Sequence, residues 1–182
     1  MKVIPTALPE VLLIQSEVHT DARGLFFESF NRRDFEQVTG LDGGFVQDNH
    51  SRSVRHVLRG LHYQLKHPQG KLVRVVRGSI WDVAVDIRRS SPNFMRSVAL
   101  ELSARESRQL WVPPGFAHGF LVLSKFAEVL YKTTDYYAVE HERCIRWDDP
   151  NLAIAWPLAE ARPLLSARDC DGETMAEAEL PP

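Results

Sequence analysis

Through the middle of the chain, apolar residues recur at every second position. In residues 72–87, LVRVVRGSIWDVAVDI, Trp81, Val83, Val85 and Ile87 fall on one face and Asp82, Ala84 and Asp86 on the other, the period-two signature of a strand. Arg77-Gly78-Ser79 interrupts that run and suits a turn between two strands. Alternation returns in SVALEL (97–102) through Val98, Leu100 and Leu102, and short runs follow at GFLVL (119–123), AEVLYK (127–132) and CIRW (144–147). Pro92, Pro113-Pro114-Gly115 and Pro150 fall between these runs as breakers. One helix is predicted early, with Asn31 as N-cap, RRDFEQVT as body, Phe35 and Val38 on one face, and Gly40 as the stop. A short helical turn is predicted at Ser166. Many short strands at close spacing predict a mainly β antiparallel sandwich or barrel rather than βαβ units.

No repeat, linker or low-complexity block precedes about residue 170, so residues 1–182 read as one domain with one core. After Pro163 the chain turns polar and acidic, LLSARDCDGETMAEAELPP, and its end, 170–182, is expected to be partly mobile. Pro5 and Pro9 break the one apolar stretch near the N-terminus and Glu10 follows it, which is not a signal-peptide layout. Nowhere does an apolar run approach the roughly 20 residues that span a bilayer. With 44% hydrophobic and 25% charged residues the composition is that of a soluble globular protein. A formal net charge of -2 gives no global attraction for nucleic acid or membrane, so an anionic ligand must be held by local cations. Cys144 and Cys170 are the two cysteines, a number that fits a reducing compartment better than a disulfide scaffold. The expectation is a soluble cytoplasmic protein.

Three segments are dense in polar groups: DARGLFFE (21–28), QDNHSRSVRHVLRGLHYQ (47–64) and WVPPGFAHGF (111–120). His62 and His118 invite a metal reading, because an H-x-H pair on an inward strand face joined by a distant histidine chelates one ion. Two positions after His62, however, stands Gln64, a poor ligand for a soft or borderline metal. An acid–base reading needs a base poised near neutral pH, an orienting carboxylate and an acid on the far side of the substrate. His62, Asp169 and Tyr131 are candidates for those parts, and Arg59, Lys71 and Arg23 are candidate anion ligands. Each has an ordinary alternative. A lone strand histidine is more often a satisfied structural residue, tyrosines are core or rim aromatics, and arginines are solvated. His19, His50, His56, His67 and His141 keep that ordinary reading.

Together the stretches DARGLFFESF, QDNHSRS with VLRGLHYQ, GKLVRVVRGSIWDVAVDIRRSSPNF, VPPGFAHGF and VLYKTTDYY closely resemble the dTDP-4-dehydrorhamnose 3,5-epimerase family. They occur in the family's order and span about residues 1–170. The resemblance implies a cupin-type jelly roll with a few short helices, and a homodimer in which an N-terminal segment, 1–50, contributes to the partner's site. It implies conversion of dTDP-4-dehydro-6-deoxy-D-glucose to dTDP-4-dehydro-L-rhamnose in dTDP-L-rhamnose biosynthesis, a route that feeds carbohydrates such as O-antigen lipopolysaccharide. No metal or organic cofactor is implied.

By the same resemblance, His62 corresponds to the general base at C3 and C5. Asp169 corresponds to its paired carboxylate, with Asp171 the alternative, and Tyr131 to the proton donor on the opposite face. Tyr137 corresponds to the aromatic stacked on thymine. Arg23, Phe26, Glu28, Gln47, Asp48, Asn49, Arg59, Lys71, His118 and Glu142 match ligand-binding positions. Arg168 stands where the family often has lysine, which keeps the charge and changes the geometry. Lys71 is the best candidate to stabilise the enolate oxygen at C4. Three alternatives remain open at this point: an epimerase of one carbon only, a metal-dependent cupin enzyme, and a sugar-binding jelly roll without catalysis.

Overall fold

The computed structural model describes residues 1–182. In chain order its strands begin with β1 (Lys2–Pro5), β2 (Leu12–Gln15), β3 (His19–Asp21) and β4 (Gly24–Phe26), followed by helix α1 (Arg32–Thr39). Then come β5 (Gln47–Val54), β6 (Leu58–Gln64), β7 (Lys71–Arg77), β8 (Ser79–Asp86), β9 (Ser97–Ser103), β10 (Arg108–Val112), β11 (Phe116–Val122) and β12 (Phe126–Thr133). A 3₁₀ turn (Val139–His141), β13 (Glu142–Cys144) and the short helix α2 (Ala167–Cys170) complete the chain. Two sheets form a sandwich, one in the order β1-β2-β10-β7-β12-β5 and the other β13-β6-β11-β8-β9, with β3-β4 standing apart as a hairpin. Every paired strand is antiparallel.

The alternation read along residues 72–87 becomes two buried faces rather than one buried and one wet. Val83, Val85 and Ile87 pack outside the five-stranded sheet with Leu61, Tyr63, Ile145, Leu152, Met175 and Ala178. Asp82, Ala84 and Asp86 are also fully buried, and Ala84 joins the inter-sheet core with Val73, Val75, Leu110, Phe120 and Val129. The polar closing segment, expected to be partly mobile, supplies part of that outer cover. Tyr63 Oη donates to the Glu179 carbonyl at 2.5 Å and Arg89 N–H to the Pro181 carbonyl. An outer face carrying Val83, Val85 and Ile87 needs a lid, at ~25 cal/mol per Å² of apolar surface covered.

Helix α1 follows its sequence signals. Asn31 accepts from Asp34 N–H, and Gly40 adopts the left-handed conformation (φ 70°) while its N–H donates to the Glu36 carbonyl. Phe35 is buried beside Ile14, Leu72 and Trp111, pinning the helix to the outer face of the six-stranded sheet. The polar strand β5 and the short strand β10 were not legible as strands, because β5 (QDNHSRSV) alternates in exposure without alternating in hydropathy. CIRW pairs with β6 through Cys144 and on to Ile145, which exchanges both backbone hydrogen bonds with Leu61 and also bridges to Glu173.

Gly60 sits where β6 crosses β11. Its φ is +115°, and a Cβ there would lie 2.6 Å from the Cα of Gly119 and 2.7 Å from the carbonyl oxygen of His118. Both obstacles are backbone, so a side chain must push the strands apart. Gly60→Ala is expected to cost on the order of 3 kcal/mol of stability, read from urea unfolding. A variant as stable as the parent would show that the two strands separate freely.

Candidate active site

Inside the sandwich the lining grades from apolar to polar along individual strands. On β7 the inward positions run from Val75 and Val73 in the core to Lys71, and on β12 from Ala127 and Val129 to Tyr131. The polar stretch opens into a cavity of about 380 Å³ lined by residues of β5, β6, β7, β11, β12 and β13 together with Arg168 of α2. That volume suits a small organic ligand. Gln47, Asn49, Arg59, His62, Lys71, His118, Tyr131, Tyr137, Glu142 and Arg168 all line it.

His62 and Asp169 meet although they are far apart in sequence. Nε2 of His62 lies 2.8 Å from Oδ1 of Asp169, an approach too oblique for a hydrogen bond. The contact is therefore an ion pair when the imidazole is protonated. Asp169 is 3% exposed and held from three sides. Its Oδ1 accepts Gly60 N–H at 3.0 Å, while Oδ2 accepts the Ser166 hydroxyl at 2.6 Å and the Ser166 N–H at 3.2 Å. Burial opposes its ionisation, but His62, Ser166 and Gly60 together hold the carboxyl well below the usual carboxylate range. The capping box of α2 thus presents one carboxylate oxygen to the imidazole, and the register selects Asp169 over Asp171.

Lys71 is 9% exposed, and its Nζ donates to the His62 carbonyl at 3.3 Å. Burial pushes this ammonium down to about 8, against the upward pull of Glu142 and Asp82. Burial also raises the Tyr131 hydroxyl, with Glu142 and Tyr137 adding to the effect and Arg59 opposing it. Tyr131 therefore holds its proton at neutral pH. Arg59 Nε donates to Ser53 Oγ at 3.1 Å, leaving its terminal nitrogens for an anion.

At the mouth, Tyr137 Oη donates to Glu142 Oε2 at 2.6 Å, Arg168 pairs with the same oxygen, and the Tyr137 N–H donates to Gln47 Oε1 at 3.0 Å. Gln64, in place of a second imidazole, is occupied: its amide nitrogen donates to the carbonyls of His67 and Tyr136 and its oxygen accepts Ala138 N–H.

One partner escaped the sequence reading. His118 Nε2 lies 2.8 Å from Asp82 Oδ1 on β8, and Asp82 is completely buried. The signal was a carboxylate between apolar neighbours in SIWDVAV, a residue type almost never fully buried without a partner. His118 is thereby a held inward histidine.

Four expected ligand positions lie outside this cavity. Asp48 points from the opposite face of β5 and accepts from Lys132 Nζ at 2.9 Å. Arg23 pairs with Asp21 at 2.5 Å on the β3-β4 hairpin, where Phe26 is 72% exposed. Glu28 binds the Asn31 amide at 2.9 Å. Period two explains Asp48, since its neighbours Gln47 and Asn49 take the inward positions. The other three sit on or just after a hairpin that the fold holds away from the pocket.

A family model described as dTDP-4-dehydrorhamnose 3,5-epimerase matches residues 5–177. The chain belongs to the dTDP-4-dehydrorhamnose 3,5-epimerase family. A curated family member from Pseudomonas aeruginosa is 57% identical over 182 residues, covering 100% of both chains. The solved dTDP-6-deoxy-D-glucose-3,5-epimerase from Legionella pneumophila, in complex with dTDP-4-keto-L-rhamnose, matches with a TM-score of 0.96 at 47% identity, covering 99% of this chain and 97% of that one. A 3'-monoepimerase from Streptomyces bikiniensis in complex with dTDP-quinovose matches with a TM-score of 0.91 at 34% identity, covering 100% of this chain and 92% of that one. The epimerase family is of the isomerase class, and its neighbours share the cupin-type double-sheet architecture seen here. No helix is long and apolar enough to cross a membrane.

Proposed function

We propose that this epimerase inverts C3 and C5 of dTDP-4-dehydro-6-deoxy-D-glucose to give dTDP-4-dehydro-L-rhamnose, with His62 as base and Tyr131 as proton donor. The observation that carries the reading is the His62–Asp169 contact at 2.8 Å inside a cavity that also holds Tyr131 and Lys71. The C4 ketone acidifies the hydrogens on both neighbouring carbons. His62 takes each proton in turn, the Asp169 carboxylate stabilises the imidazolium, and charge collects on O4 as the enolate forms. Lys71 offsets that charge where water is excluded. Tyr131 then returns a proton on the opposite face, and two such events change the ring from D to L. Arg59 holds the diphosphate and Tyr137 stacks on the thymine.

Arg23, Phe26 and Glu28 serve the partner's cavity in a homodimer. In support, Leu25 and Phe26 of the hairpin are 63% and 72% exposed, apolar surface that a partner would cover. The setting is dTDP-L-rhamnose synthesis in the cytoplasm, where Cys144 and Cys170, both free, stay reduced.

The test follows solvent deuterium separately at C3 and C5. The parent enzyme is expected to label both carbons. Tyr131→Phe is expected to keep wash-in at C3 while lowering net inversion about 100-fold, the scale of one acid–base partner. Labelling of C3 alone by the parent would instead make this chain a monoepimerase like the Streptomyces bikiniensis neighbour.

A further inference from the structure

Behind the imidazole stands a group the epimerisation leaves unused. Cys144 on β13 is the strand partner of His62 on β6. The ligand atoms of His62, Cys144 and Asp169 all lie within 4.8 Å of one another. Nε2 of His62 is buried and makes no hydrogen bond, and Sγ of Cys144 makes only a weak 3.6 Å contact to the Ile145 carbonyl. We propose that His62, Cys144 and Asp169 form a binding site for a zinc-type divalent cation whose occupancy takes the base out of use.

The donor set is imidazole nitrogen, thiolate sulfur and carboxylate oxygen, the combination zinc prefers, with a fourth position left for water. Metal–ligand bonds of ~2.0–2.3 Å place tetrahedral ligand atoms roughly 3.3–3.6 Å apart. The 2.8 Å separation of Nε2 and Oδ1 must open by about half an ångström to reach that spacing, and the sulfur, within 4.8 Å of both, must move inward.

Thiolate and carboxylate together balance the charge of a divalent ion. The Cys144 proton leaves to solvent as the metal–sulfur bond forms, and no electron is transferred. Cys144 also borders a surface groove in which Glu142, Asp171 and Glu173 stand beside Arg143 and Arg168, an opening through which an ion reaches the sulfur from outside. The neighbouring cations are engaged elsewhere, Lys71 with the His62 carbonyl, Arg168 with Glu142 and Arg143 with Glu179. The effect on exchange rests on the reading of His62 as base, whereas binding itself does not.

The experiment titrates chelator-treated enzyme with Zn²⁺ while following deuterium exchange, and in parallel with Co²⁺ while recording the thiolate-to-cobalt absorption. About one equivalent of Zn²⁺ is expected to lower exchange at least tenfold, reversed by EDTA. Cys144→Ala and Cys144→Ser are expected to keep the parent's metal-free rate, to lack the cobalt band, and to need at least about tenfold more Zn²⁺ for the same inhibition. Equal Zn²⁺ sensitivity in parent and variants, or no cobalt band in the parent, would overturn the site. A cobalt band without loss of exchange would support the site and remove His62 from the role of base.

Discussion

His62→Ala is expected to lower solvent-deuterium exchange at both C3 and C5 by about 10²–10⁴-fold, the contribution of a positioned base. The loss should fall on kcat with the protein still folded. Asp169 keeps Gly60 N–H and both Ser166 donors when the imidazole is gone, so the variant does not strand a bare buried charge. Asp169→Asn is expected to be milder, because the imidazole stays in the cavity without the carboxylate that stabilises its protonated form. Unchanged exchange in His62→Ala would transfer the base role to His118, the other cavity histidine with a carboxylate, Asp82, at 2.8 Å.

Lys71→Met should cost about 10²–10³-fold in kcat, the scale of removing one preorganised stabiliser of a developing oxyanion. The wild-type pH profile carries a second, sharper prediction. A charged Lys71 is needed, so kcat/KM should fall as pH rises through about 8, the value to which burial lowers this group.

Stability should run the other way. The unfolded chain keeps its lysine proton until the ordinary value of 10.5, whereas the folded chain gives it up near 8. Between those values the unfolded state binds more protons, so stability rises with pH. Below pH 8 the folded protein carries the cost of a buried ammonium, on the order of 3 kcal/mol. Lys71→Met should therefore be at least as stable as the parent at neutral pH while nearly inactive. Urea unfolding of both proteins from pH 6 to 10 checks this, and a parent-minus-variant stability difference that does not rise between pH 8 and 10 would refute the assignment of that burial.

Local rules reached a good deal of this molecule. The caps at Asn31, Gly40 and Ser166 act on neighbours within three or four residues, so sequence spacing carries them directly. Alternation in β9 was legible because burial there coincides with hydropathy, whereas in β8 the polar face, Asp82 and Asp86, is buried as fully as the apolar one. It failed in β5, whose inward residues Gln47, Asn49 and Ser51 line the cavity and are polar although they face inward. It also gave no sign of the closing segment's packing, since hydropathy alone does not show that Met175 and Ala178 have an apolar sheet face to cover.

Most of the candidate site was nameable from motif resemblance, and its parts then sorted by position. Gln47 and Asn49 entered the cavity while Asp48 did not, a consequence of strand pleat. Arg23, Phe26 and Glu28 stayed on or beside the β3-β4 hairpin, which pairs with neither larger sheet.

From the sequence by itself came the strand-rich class, the helix boundaries and the loss of a metal-chelating pair at Gln64, because each rests on neighbours along the chain, while the fuller set of candidate residues came from motif resemblance. Tertiary structure alone decided that Asp169 rather than Asp171 meets His62, that Asp82 holds His118, that Lys71 is buried, and that Cys144 stands behind the imidazole. Those facts depend on strand register and on the angle at which α2 closes over the sheet. Both are set by packing between residues distant in the chain, and no local pattern encodes them.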